Sequence, residues 1–158
     1  MFTRKQFNQK YSRSSKTAHY KILTDRKGHW VQGQVDRLRG RGKSYKYELK
    51  QAFACETRMK GYRISTKYIW LDTNGRLIAF RHYRWDGASG IAIDTANAMD
   101  GSCAHDCGYQ LIRLGLVPRS FRKLIDKDIR DINYSRGMSW FRSRAWYLVL
   151  RCFGWLAI

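Results

Sequence analysis

The spacing of apolar residues along this chain changes near its middle. Between residues 18 and 90 they fall in short runs rich in aromatic and β-branched side chains: Tyr20-Lys21-Ile22-Leu23, His29-Trp30-Val31, Tyr45 to Leu49, and Tyr62 to Leu71. Runs of this length, bounded by Gly, Asn and Asp, predict strands. The clearest connection is Asp72-Thr73-Asn74-Gly75, set between Tyr68-Ile69-Trp70-Leu71 and Leu77-Ile78-Ala79-Phe80. Its Asn-Gly pair predicts a tight hairpin through residues that accept positive φ.

From residue 91 the pattern turns helical. Residues from about Thr95 to Leu114 predict a helix, with Asp94 or Thr95 as N-cap and Gly115 as the stop. After Pro118, Ser120 opens a second helix that carries Phe121, Leu124, Ile125, Ile129 and Ile132 at helical spacing and ends near Gly137. The last segment, Trp140 to Leu156, is apolar and aromatic but interrupted by Arg142, Arg144 and Arg151. It predicts a C-terminal helix packed on the sheet, in preference to one lying in a membrane interface. The expected class is α+β: an antiparallel β-sheet from the N-terminal half and two or three helices from the C-terminal half. Residues 18–158 are expected to form one domain, strand-rich over 18–90 and helical over 91–158, behind a basic flexible arm expected at 1–17.

Charge adds a partner class. The 158 residues hold 31 Lys and Arg against 12 Asp and Glu, a net charge of +19. That excess favours an anionic surface: nucleic acid, membrane phospholipid or acidic protein. The candidate anion contacts are Arg4, Lys5, Lys10 and Arg13 in the arm, and Arg39, Arg41 and Lys43 in a glycine-containing basic stretch. No stretch of about 20 uncharged apolar residues exists, and no apolar run near Met1 resembles a signal peptide. The chain is therefore expected to be made as a soluble cytosolic product. The cysteines, at 55, 103, 107 and 152, lack Cys-x-x-Cys pairing and are expected to be mostly buried thiols.

The candidate chemistry sits in Cys103-Ala104-His105-Asp106-Cys107-Gly108-Tyr109. On a helix His105 and Tyr109 share one face, while Asp106 points about 100° round from it. The short link from Gly115 to Arg119 makes the first two helices antiparallel, bringing a carboxylate of the second level with His105. Helical phase favours Asp128, inside the apolar stripe, over Asp126, and both are kept. Upstream, the small residues of Trp85-Asp86-Gly87-Ala88-Ser89-Gly90 form a loop able to turn carbonyls toward an ion.

These residues carry two resemblances. His105-Asp106-x-Gly108-Tyr109, with Asp126 in the next helix, resembles the His-Asp-x-x-Tyr…Asp core of phospholipase A2 enzymes, especially the bacterial and parvoviral forms. The longer span from Asp86-Gly87-Ala88-Ser89 through His105-Asp106 to the C-terminal helix resembles an uncharacterised family of small bacteriophage proteins with Asp-x-x-Ser before His-Asp-x-x-Tyr. The first resemblance implies calcium-dependent hydrolysis of a phospholipid ester, with His105 as general base and Tyr109 and Asp126 holding its ring. It also implies calcium on Asp106 and on carbonyls of the loop at Trp85, Gly87 and Gly90. It selects Asp126 where periodicity selects Asp128. The second brings no established activity; it implies a virion-associated or lysis-region viral protein, in the virion or the host cytoplasm, that meets virion subunits, nucleic acid or membrane phospholipid, with the phospholipase-like site active or vestigial. Two non-enzymatic readings stay open, a basic structural or assembly protein and an inhibitor of an acidic host protein. In these the same His, Asp and Tyr form a buried polar knot.

Overall fold

A computed structural model gives the fold and describes residues 18–22, 45–87 and 95–157. The first half makes two antiparallel sheets. One has the order β1 (Tyr20–Ile22), β2 (Tyr47–Leu49), β7 (Arg84–Trp85). The other runs β3 (Phe53–Glu56), β6 (Arg76–Ala79), β5 (Ile69–Leu71), β4 (Ile64–Ser65). Three helices follow: α1 (Met99–Arg113), α2 (Arg122–Ser135) and α3 (Trp140–Phe153). The α+β class read from the sequence is the one observed, the strands falling into two sheets among the described residues.

Local chemistry explains the departures. The run from Tyr62 to Leu71 is broken into β4 and β5 because the Thr66 hydroxyl accepts from the backbone N–H groups of Tyr68 and Ile69, closing a turn. Strand β3 went unforeseen. The hairpin at Asp72–Gly75 forms as expected, with Leu71 opposite Leu77. Only Gly75, at φ +90°, takes the left-handed conformation there; Asn74 does not. Asp72 does the remaining work, its Oδ1 accepting from the N–H groups of Asn74 and Arg76, each at 2.9 Å.

The core lies between the sheets and α1. Phe53, Leu71, Leu77, Tyr83 and Trp85 pack with Cys103, Cys107 and Leu111. Helix α1 is buried almost all round; Asp106, Gln110 and Arg113, at i, i+4 and i+7, form its open stripe. Glycine sets how closely α2 approaches. A Cβ on Gly108 would stand 2.9 Å from Ile125 Cγ2, and one on Gly101 would collide with Asn133. Both helices stop at glycines with positive φ nearby, Gly115 at +68° and Gly137 at +86°.

Helix α3 corrects an expectation. The C-terminal segment does not pack its apolar face on the sheet: Ser143 is its one buried residue, and it contributes nothing to the hydrophobic core. Helix α3 packs instead on α2. Ser139 caps its start by accepting from Arg142 N–H, and Arg122 donates to the carbonyls of Leu150 and Arg151 at its end.

Candidate active site

The glycine contacts along α1 bring His105 and Asp126 face to face. His105 Nε2 lies 3.1 Å from Asp126 Oδ1, and the Tyr109 hydroxyl donates to that same oxygen at 2.7 Å. An ionised carboxylate can only accept, so Nε2 carries the proton and Nδ1 keeps the lone pair of the neutral ring. The Tyr109 ring lies against the imidazole, with centroids 4.0 Å apart. Nδ1 faces Asp106, whose Oδ1 is 3.8 Å away, beyond a direct hydrogen bond. Asp106 belongs to the less buried stripe of α1, so Nδ1 is turned toward that stripe from a side chain that is itself buried.

Two arginines complete the arrangement. Arg151, reaching in from α3, donates to Asp126 Oδ2 at 2.9 Å. Arg122, one turn before Asp126 on α2, holds its Nε 3.6 Å from the same oxygen. Burial works against ionised Asp126, but hydrogen bonds from His105, Tyr109 and Arg151 outweigh it and hold its pKa below the usual carboxyl value. Burial likewise works against a charged His105. Asp106 and Asp126 outweigh it and raise the imidazole pKa. Burial and then Asp126 keep the phenol proton on Tyr109.

Of the two aspartates proposed from sequence, the structure brings only Asp126 to His105. Asp128 is corrected: it accepts from the Arg58 backbone N–H at 2.9 Å and its guanidinium at 2.6 Å, tying α2 to the connection after β3. The phase argument assumed one buried face. Helix α2 is flanked by α1, α3 and that connection, so Asp126 is fully buried although it lies off the apolar stripe.

The calcium proposal meets a different fate. The segment from Trp85 to Gly87 does reach Asp106, but it presents an N–H: Asp86 N donates to Asp106 Oδ2 at 3.3 Å. The Trp85 carbonyl is committed to the sheet, accepting from Lys46 N–H at 3.1 Å, while its indole donates to Ser102 at 3.2 Å. A calcium loop must offer oxygens. Among the described residues no cluster of three or more His, Cys, Asp or Glu could hold a metal ion. Trp85 is therefore an anchor of the fold, and the described residues do not make up a calcium site. Gly87, just after β7, has φ +78°. Gly90 lies outside the described residues, as do Arg4, Lys5, Lys10, Arg13, Arg39, Arg41, Lys43 and the strand expected at His29-Trp30-Val31.

Sequence reasoning missed Arg122, Arg151 and Gly154. Arg122 stood at i−4 from Asp126, a readable signal. Arg151 carried only the oddity of a charge in an apolar helix. Gly154 follows α3 and passes so close to the Tyr109 hydroxyl that a Cβ there would strike it. Cys103 and Cys107 are buried free thiols as expected, whereas Cys152 is exposed. Compared with family models, curated proteins and solved structures, the chain matches none.

Proposed function

We propose that the chain is a hydrolase of phospholipase A2-like type in which His105 activates water for attack on an ester of an anionic lipid. The observation that carries this is the doubly bonded Asp126 Oδ1. It fixes the tautomer and leaves Nδ1, turned toward Asp106, as the base. As Nδ1 takes a proton from water, the imidazolium forms between two carboxylates that stabilise it. Tyr109, Arg122 and Arg151 hold Asp126 in place and ionised. The raised pKa of His105 puts the neutral, catalytic form on the alkaline side of the usual histidine range, so the rate should climb with pH through that region. The resemblance to small bacteriophage proteins supports a virion-associated or lysis-region role.

A second reading has its own support. Asp126 gathers His105, Tyr109, Arg122 and Arg151 from three helices, and His105 is 6% exposed. These are also the features of a charged knot holding α1, α2 and α3 together. Fatty-acid release from phosphatidylglycerol vesicles, with calcium and with chelator, separates the two readings when wild type and His105→Gln are compared after circular dichroism shows both folded. Loss of roughly a hundredfold or more in the variant supports the base. No release by wild type, with a lower melting temperature for His105→Gln, overturns the hydrolase and leaves the knot.

A further inference from the structure

We infer that α3 docks on an anionic phospholipid bilayer, lying in its interface. Phe141, Ala145, Leu148, Val149 and Cys152 recur at i, i+4, i+7, i+8 and i+11, the spacing of one continuous helical face. Such a stripe ordinarily faces a core. Here it faces outward: Phe141 is 79% exposed, Leu148 57% and Val149 42%. The opposite side makes the protein contacts, through Ser143, Tyr147 stacked under Arg130, and Arg151 on Asp126. Past the helix, Trp155 and Leu156 extend the exposed apolar surface at 60% and 69%.

The borders of the stripe identify its occupant. Arg144 lies on one side, its guanidinium 4.9 Å from the Trp140 ring, and Arg142 on the other, 5.9 Å from the Trp146 ring. Arginine beside tryptophan along both edges of an apolar face suits the headgroup boundary, where indoles sit and guanidiniums meet phosphate. Residues 132–158 hold four arginines and no Asp or Glu. A second copy would set that cationic face against its own like at +19 each, and nucleic acid would leave the apolar stripe in water. Helix α3, with 14 residues, spans about 21 Å, short of the roughly 30 Å hydrocarbon core. No described helix is long and apolar enough to cross a membrane. The surface therefore lies on lipid, and this docking does not depend on turnover at His105.

The test is flotation of the full chain with vesicles of equal parts phosphatidylglycerol and phosphatidylcholine, against pure phosphatidylcholine. Wild type and His105→Gln should float alike with the anionic vesicles and weakly with the neutral ones. The double variant Phe141→Ser/Leu148→Ser, checked for an unchanged melting temperature, should bind about a hundredfold more weakly, since two large apolar side chains leave the interface. Equal binding by the double variant would overturn the proposal and move the contact to the basic arm, and failure of wild type to bind would overturn it too. A wild-type dimer in sedimentation that the double variant dissolves would assign the stripe to a second copy instead.

Discussion

Helices α1 and α2 carry Asp100, Ser102, His105, Asp126, Asp128 and Asn133 into the interior, whereas α3 leaves Phe141, Leu148 and Phe153 in solvent. Hydropathy alone would have placed these groups the other way round. The interior polar groups are largely matched across elements. Asp100 accepts from Ala18 N–H and pairs with Arg136, Asp128 holds Arg58, and Asp126 holds His105, Tyr109 and Arg151. Burying a charge without such partners is costly. The contrast teaches that in this chain carboxylates tie the helices to each other and to the sheets, while the apolar residues of α3 are spent on an outer surface.

The largest effect should come from breaking the interior side of that contrast. Asp126→Asn removes the charge that faces Arg122, Arg151 and His105, leaving cationic groups without their counter-ion. Removing one partner of a buried pair costs about 3–5 kcal/mol, and urea unfolding followed by circular dichroism would read it as a lower midpoint with an unchanged slope. Arg151→Met should cost less, because Arg151 is about a third exposed and water replaces part of its role. A loss below about 1 kcal/mol for Asp126→Asn would show that the three helices do not depend on this carboxylate.

That carboxylate also shows how far the sequence was legible. The two antiparallel helices, their glycine stops and the level match of His105 with a carboxylate all followed from period and loop length, which are local properties. The choice between Asp126 and Asp128 did not follow, because a helix touched on several sides has no single buried face and its phase depends on neighbours distant in sequence. The same holds for Arg151, 25 residues from its partner, and for the Trp85 carbonyl, whose engagement with Lys46 is a sheet contact. Helix α3 misled for a related reason. An apolar stripe records that something covers a face, without saying whether protein or lipid does so.

A smaller effect sharpens the electrostatic side. The His105 pKa is raised above its ordinary 6.5, so the stabilisation from charging it is fully present below that value and is lost as pH rises through the folded-state pKa. Asp126, with its pKa lowered, contributes above the ordinary carboxyl range and loses that contribution as pH falls through the depressed value. The wild type's advantage in melting temperature over His105→Gln should thus shrink as pH climbs from 6.5 into the alkaline range. A hydrogen bond to a charged group, about 1.5–3 kcal/mol, bounds its size. An advantage that stays flat with pH would mean that His105 is held neutral, as a packing element beside Tyr109.

The smallest effect belongs to α3. Replacing Phe141 and Leu148 by serine removes two large apolar side chains, a change that in the core would cost several kcal/mol. On a solvent-facing stripe the free chain should lose no more than about 0.5 kcal/mol at each position, because most of each side chain already lies in solvent. Chemical unfolding in the absence of lipid measures this directly. A combined loss above about 2 kcal/mol would mean that the stripe is already covered in the lipid-free protein, and the contrast between a polar interior and an apolar exterior would collapse. An unchanged stability beside a lost affinity for anionic vesicles would instead separate what holds the fold from what meets the surface.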